Sequence, residues 1–387
     1  MSDSTILLAA FAVLLGLARV AGAAAGRLGQ PVVVGEIACG LVLGFALPAK
    51  GLPAAVTTTL DAVAQLGLTL FLFGVGARLA PHLTRRRVTA VVVPAAGAAV
   101  VPFAFGAGIA LWLAPRHAPA GTTAFVLFTA AAMAVTAFPV LARILGERGL
   151  LDDARGQCAL TAAAITDVGA WTVLAVVVAS LHDGSRAWSP MLAAPILIVL
   201  FGLTGRWFGR WAERLSRQAT IALLVALACA GAAATDAIGL HPALGAFLAG
   251  VAAGRSMPRL DPAGLVAPVG SLLVPLYFVL IGQKVDLGGL DLRVAGETLA
   301  VIVVAVLGKG GGAYLGARVA GQTPRSAALF ATLMNTRGVT ELVFVSIGLS
   351  LGVVDSVFAT AMIVMALVTT GMTGPLLNRL RPTIEVR

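Results

Sequence analysis

The sequence predicts an all-α polytopic membrane protein of about thirteen transmembrane helices, organised as two inverted repeats of six around a linker helix. Three observations predict it. Hydrophobic residues make up 59% of the 387-residue chain and charged residues only 11%, with a mean hydropathy of +0.98, so there is too little polar surface to wrap a water-soluble globule. The apolar residues fall into runs of roughly 17–25, the length that a bilayer's hydrocarbon core requires of a helix. The arginines between those runs gather on alternate connections, as basic residues resist translocation.

In chain order the spans are 5–24, 31–48, 60–79, 88–113, 122–146, 157–181, 189–208, 219–235, 239–254, 264–283, 294–318, 325–350 and 355–377. The start, MSDSTILLAAFAVLLGLARVAGA, has no basic segment ahead of its apolar stretch and reads as a first spanning helix rather than a cleaved leader. With the N-terminus outside and the C-terminus cytoplasmic, the cytoplasmic connections carry Arg27, Arg78, Arg85, Arg86, Arg87, Arg143, Arg148, Arg155, Arg206, Arg210, Arg214, Arg217, Arg255, Arg259, Arg318, Arg325, Arg379, Arg381 and Arg387. The opposite side has Lys50, Arg116, Arg186, Lys284 and Arg293, so the balance is nineteen against five. Topology thereby accounts for the net charge of +10. A nucleic-acid partner is not implied, because the arginines are spread over seven short segments instead of forming one basic face.

If the seventh span is a linker, residues 1–181 and 219–377 are two six-helix groups entering the bilayer from opposite sides. They correspond at their interruptions. Span 5 contains AVTAFPVLARIL (134–145), where Thr136, Ala137, Phe138 and Pro139 break an apolar run. Span 12 contains LMNTRGVTEL (333–342), where Asn335, Thr336, Arg337 and Gly338 do the same. Proline lacks a donor and glycine weakens helix interiors, so both spans are expected to break near mid-membrane. A broken backbone at that depth is tolerated only against protein or a wet cavity, and its exposed dipole ends call for compensating charge and can line an ion site.

Buried charge marks the same region. Asp167 is the only charge in CALTAAAITDVGAWTVLAVVVASL (158–181), and a carboxylate at that depth costs roughly 2.5–3.5 kcal/mol on insertion scales. Lys309 lies in VIVVAVLGKGGGAYLGARVA (301–320), too far inside its run to be a plain snorkelling anchor. Glu341 and Glu36 are expected to pair with Arg337 or with helix ends. His241, before Pro242, suits packing or an interfacial hydrogen bond. Cys39, Cys158 and Cys229 sit in apolar runs without paired or metal-like spacing and read as small packing residues. No metal cluster, nucleophile elbow or phosphate loop is present, which argues against an enzyme and against a cofactor.

At these residues the chain resembles the second large family of monovalent cation:proton antiporters, which includes bacterial sodium/proton exchangers, glutathione-gated potassium efflux systems and plant cation/proton exchangers. LGQPVVVGEIACGLVLG (28–44), AVTAFPVLARIL, LHPALGAFLAGVAAGR (240–255), VPLYFVLIGQKVDL (274–287) and MNTRGVTELVFVSIGLSLGVV (334–354) look like that family's segments in the family's order. The last leans towards the plant-exchanger-like branch.

The resemblance implies the sodium/proton antiporter fold: a core of spans 4–6 and 11–13 with two crossed broken helices, moving like an elevator against a dimerising panel of spans 1–3 and 8–10. It implies a homodimer in the cell membrane that exchanges Na⁺ or K⁺ for protons. Asp167 would carry proton or cation, Thr166 and Thr136 would add oxygen atoms, and Lys309, Arg337 and Glu341 would balance charge. One departure stands out. Many electrogenic members have two adjacent acidic residues where this chain reads Thr166-Asp167, and the missing carboxylate is the one expected to pair with the lysine matching Lys309. Two other readings stay open: an organic solute transporter of the same fold, and a channel-like potassium efflux protein, which would usually carry a cytoplasmic nucleotide-binding domain.

Overall fold

A computed structural model describes residues 2–46, 52–82, 85–181, 215–238, 240–284 and 292–380. The expected linker span 189–208 lies outside the described residues, as do Lys50, Arg186, Arg206, Arg210, Arg214, Arg381 and Arg387 and the side chains of Arg85, Arg86, Arg87 and Arg293. The described residues are helical, with no strand among them. The helices are α1 (Asp3–Arg27), α2 (Val32–Ala46), α3 (Ala54–Leu79), α4 (Arg85–His117), α5 (Thr122–Ala134), α6 (Phe138–Glu147) and α7 (Ala154–Leu181), then α8 (Arg217–Ala237), α9 (Pro242–Ser256), α10 (Pro262–Gln283), α11 (Leu292–Val319), α12 (Pro324–Met334), α13 (Val339–Ser350) and α14 (Ser356–Leu380). Each expected span other than 189–208 is matched by one of these, and spans 5 and 12 are each matched by a pair of half-helices. Nine of the described segments are long and apolar enough to cross a membrane.

The helix starts follow from local chemistry. Ser2, Ser216 and Thr323 accept the backbone N–H three residues on, and His241, Thr323 and Asp261 are each followed by a proline whose missing donor would have been unpaired in any case. The expectation for His241 is met in this form: its Nδ1 accepts the N–H of Ala243 at 3.1 Å.

Two sets of helices pack among themselves. On one side α3 lies against α9 and α10, α2 against α10 and α1, and α8 against α9. On the other, α4 packs against α11 and α5, α7 against α4 and α5, and α11 against α12 and α14. Small residues allow these approaches: a Cβ on Gly97 of α4 would stand 2.5 Å from the carbonyl oxygen of Gly312 on α11. We refer to the first set as the panel and the second as the core. The three cysteines are free, and Cys229 of α8 is exposed.

Candidate functional site

The two interrupted spans cross in the core. α5 ends at Ala134, and Val135 to Ala137 leave the helix, Val135 with extended backbone, before α6 begins at Phe138. Pro139 falls in the first turn of α6, where it stabilises the new helix start, so the break lies ahead of the proline rather than at it. α12 ends at Met334, and Gly338 takes a φ of 145°, a conformation L side chains rarely adopt, before α13 starts. The breaks are joined to each other. The N–H of Ala137 donates to the carbonyl of Thr336 at 3.0 Å, and the hydroxyl of Thr136 donates to that of Met334 at 3.2 Å.

Charge at this crossing is arranged around one helix end. The C-terminus of a helix carries roughly half a negative charge on its last carbonyls. Arg337 donates to the carbonyls of Ala132 at 3.1 Å and Met133 at 2.6 Å, while Lys309 donates to that of Ala134 and, at 2.9 Å, to that of Ala98 on α4. Two cations thus cap α5. Across the crossing, the end of α12 is met among the described residues by the neutral Thr136 hydroxyl and Ala137 N–H. Arg337 also pairs with Glu341 one turn on at 2.9 Å, both side chains being fully buried. Thr370 of α14 holds the Arg337 backbone, accepting its N–H at 3.1 Å and donating to its carbonyl at 2.5 Å.

Asp167 is the group left over. It is 2% exposed, its Oδ1 has no hydrogen-bond partner among the described residues, and it forms no ion pair among them. Lys309 is the charge whose field reaches it. The neighbouring Thr166 hydroxyl donates to its own helix at Ala163 O, 3.0 Å away, which leaves its oxygen lone pairs free to accept. Buried oxygen atoms without partners also remain on Asn335 and Thr336 at the second break.

Two further features flank the crossing. On the face carrying Asp61 and Lys284, a cavity of about 620 Å³ opens between panel and core; Gln65, His241 and Tyr277 line it from the panel, and Trp171 and Val343 from the core. On the opposite face panel and core are tied. Arg143 of α6 bridges Glu147 at 3.0 Å and Glu36 of α2 at 3.1 Å, and Glu147 accepts the N–H of Val32 at 2.8 Å, at the start of α2. Arg148 reaches Asn378 at 2.7 Å and the carbonyl of Gly29 at 3.2 Å.

This corrects two sequence expectations: Glu36 pairs with Arg143 and not with Arg337 or a helix end, and Arg143 is a buried helical residue rather than a loop charge. A further cluster is not legible in the sequence: the buried His117 stands between the partly exposed carboxylates of Asp355 at 2.8 Å and Glu297 at 2.7 Å.

Comparison with known proteins places the chain. The family model described as sodium/hydrogen exchanger, transmembrane, matches residues 10–380. The Na⁺/H⁺ antiporter NhaS4 of Synechocystis is 31% identical over 97% of this chain and 97% of its own length. Cation/H⁺ antiporter 18 of Arabidopsis thaliana is 34% identical over 89% of the chain, and K⁺/H⁺ antiporter 1 of Saccharomyces cerevisiae is 31% identical over 91%. This chain spans less than half the length of those two relatives, 45% and 44%. In fold it resembles the sodium proton antiporter MjNhaP1 of Methanocaldococcus jannaschii, with a TM-score of 0.72 over 98% of this chain and 97% of the other at 15% identity.

Proposed function

This chain belongs to the transmembrane sodium/hydrogen exchanger family, a family of transporters and not of enzymes, and from that premise we propose that Asp167 is where it exchanges a monovalent cation for protons. One observation carries the assignment: of the buried charges at the crossing, Asp167 is the one with no ion pair and an unbonded carboxylate oxygen among the described residues, Glu341 being held by Arg337 and both cations being held by α5. Its carboxylate can take a proton or an alkali ion and not both, and that competition couples the two fluxes. Thr166 supplies a neutral oxygen beside it, and Asn335 and Thr336 offer others from the second break. Thr136 serves first as the stitch between the breaks. One carboxylate among neutral oxygens suits Na⁺ or K⁺ and not the high-charge cage that a divalent ion prefers.

Alternating access then follows from the two helix sets. The described state has its cavity on the Asp61 face and its ties on the Arg148 face, so it is the Asp61 side from which cation and proton approach Asp167, and the core must move against the panel, breaking the Arg143 ties, to open the second. The Arg148 face is the cytoplasmic one in this reading, with the N-terminus outside; cysteines placed at Arg148 and Lys284 should react with an impermeant thiol reagent from opposite sides of the cell membrane. The protein works as a homodimer, which the mass of the detergent-solubilised protein tests. Antiport is preferred to organic solute transport and to a channel because its relatives are named as cation/proton antiporters.

The deciding experiment is reconstitution into liposomes with a pH dye, adding Na⁺, K⁺ and Li⁺ in turn. Asp167→Asn keeps the shape but cannot exchange a proton, so cation-dependent proton flux should vanish while the protein still reaches the membrane. In the native protein the cation KM should rise as pH falls, because protons compete for the same oxygens. Near-native flux in Asp167→Asn would refute the assignment.

A further inference from the structure

The geometry points to Trp171 as the plug that separates the open cavity from the ion site, a positioning residue that decides from which face Asp167 can be reached. The inference rests on the reading of Asp167 above only for what lies behind the plug. Trp171 follows Asp167 by four residues on α7, which is one turn, roughly 6 Å along the axis, and places both on one face of the helix. Both are buried, at 2% and 5% exposure, yet only Trp171 lines the cavity; Asp167 does not. The indole therefore stands between them.

Its contacts cross the boundary that must move. The Trp171 ring lies 5.7 Å from the ring of His241, at the start of panel helix α9, and 5.9 Å from Phe344 on core helix α13, which it meets edge-on at 69°. Phe344 is backed in turn by Phe128 of α5 at 5.0 Å. A buried indole N–H usually finds an acceptor, but Nε1 of Trp171 has none among the described residues. Ring packing is what fixes the indole among the described residues, and one of its two walls belongs to the panel. When the core moves, that wall is withdrawn from the ring. A tryptophan that served only to fill the core would have no need to face a cavity of about 620 Å³ or to touch the opposite helix set.

The test measures access instead of transport. In a full-length protein whose three native cysteines are replaced by serine, Asp167→Cys is labelled with the methanethiosulfonate ethyltrimethylammonium cation, applied separately to the Asp61 face and to the Arg148 face of membrane vesicles. With Trp171 native or replaced by Phe, which keeps a ring in the slot, labelling should be slow from both faces. Trp171→Ala should accelerate it on the order of tenfold from the Asp61 face alone, as expected of a removed gate. Trp171→Leu, a narrower apolar side chain, should accelerate it in the same sense and serves if the alanine variant does not reach the membrane. Unchanged rates, or equal acceleration from both faces as a loosened core would give, overturn the proposal. Because labelling does not need exchange, survival of flux in Asp167→Asn would sink the functional reading without touching this result, and the reverse also holds.

Discussion

Lys309 and Arg337 are both buried cations, and their roles differ by what surrounds them. Arg337 has an anionic partner in Glu341, whereas Lys309 is held by two backbone carbonyls, and no carboxylate pairs with it among the described residues. Removing its side chain leaves the carbonyls of Ala98 and Ala134 unmet in an apolar interior, at about 1–3 kcal/mol for an orphaned buried acceptor. Lys309→Ala should therefore lower the melting temperature in detergent more than it raises the cation KM. A variant that melts like the native protein but does not transport would instead place Lys309 on the proton path. Sequence alone revealed Asp167 and Lys309, because a lone charge in a long apolar run is conspicuous. It could not reveal Arg143, which stands near the end of its run where snorkelling arginines are ordinary, or Trp171, whose significance lies in contacts with α9 and α13 that are remote in the chain.

At the scale of the helices, the two breaks were legible because proline, glycine and polar residues punctuate otherwise apolar spans at equivalent places in the two halves. Their stitching was not, since a bond from Ala137 to Thr336 joins segments about two hundred residues apart. Helix α7, which carries the site, has a start that can be tested separately. Asp153 precedes it and accepts the Arg155 N–H at 2.8 Å, while the Arg155 guanidinium binds the same carboxylate at 2.9 and 2.8 Å. Those bonds hold its carboxyl below the usual aspartate range. A group whose folded-state value is depressed contributes stability above its unfolded value and loses it as pH falls through the folded one. Asp153→Ala should thus reduce stability by about 1 kcal/mol, as loss of a helix cap does, at neutral pH. The gap in melting temperature between the two proteins should hold down to the ordinary aspartate value of 3.8 and close below it.

Across the whole molecule, what matters is the charge that moves. Two cations, Lys309 and Arg337, and two carboxylates, Glu341 and Asp167, meet at the crossing; Glu341 is paired with Arg337 and Lys309 is held by backbone carbonyls, while Asp167 has no ion pair among the described residues. Whether Asp167 holds a proton or a monovalent cation, the loaded crossing carries the same net charge, because each ligand brings one positive charge to the same carboxylate. On the proposed reading of Asp167 the core should therefore move equally charged in both directions, exchanging one proton for one cation. Each uncompensated charge would be worth about 2.3 kcal/mol per 100 mV, so a second proton per cycle would make the rate plainly voltage-dependent. Native exchange in proteoliposomes clamped with an ionophore for an ion that is not a substrate should be nearly indifferent to the imposed potential. Thr166 stands where a second carboxylate would change this. Thr166→Asp places an acid beside Asp167 and within the field of Lys309, which could then leave the α5 carbonyls to pair with it in one half of the cycle and release it in the other. That variant should carry an extra proton and become voltage-sensitive. If native exchange already follows the potential, charge must move on some other group, and Lys309, held only by neutral carbonyls, is the one free to carry it.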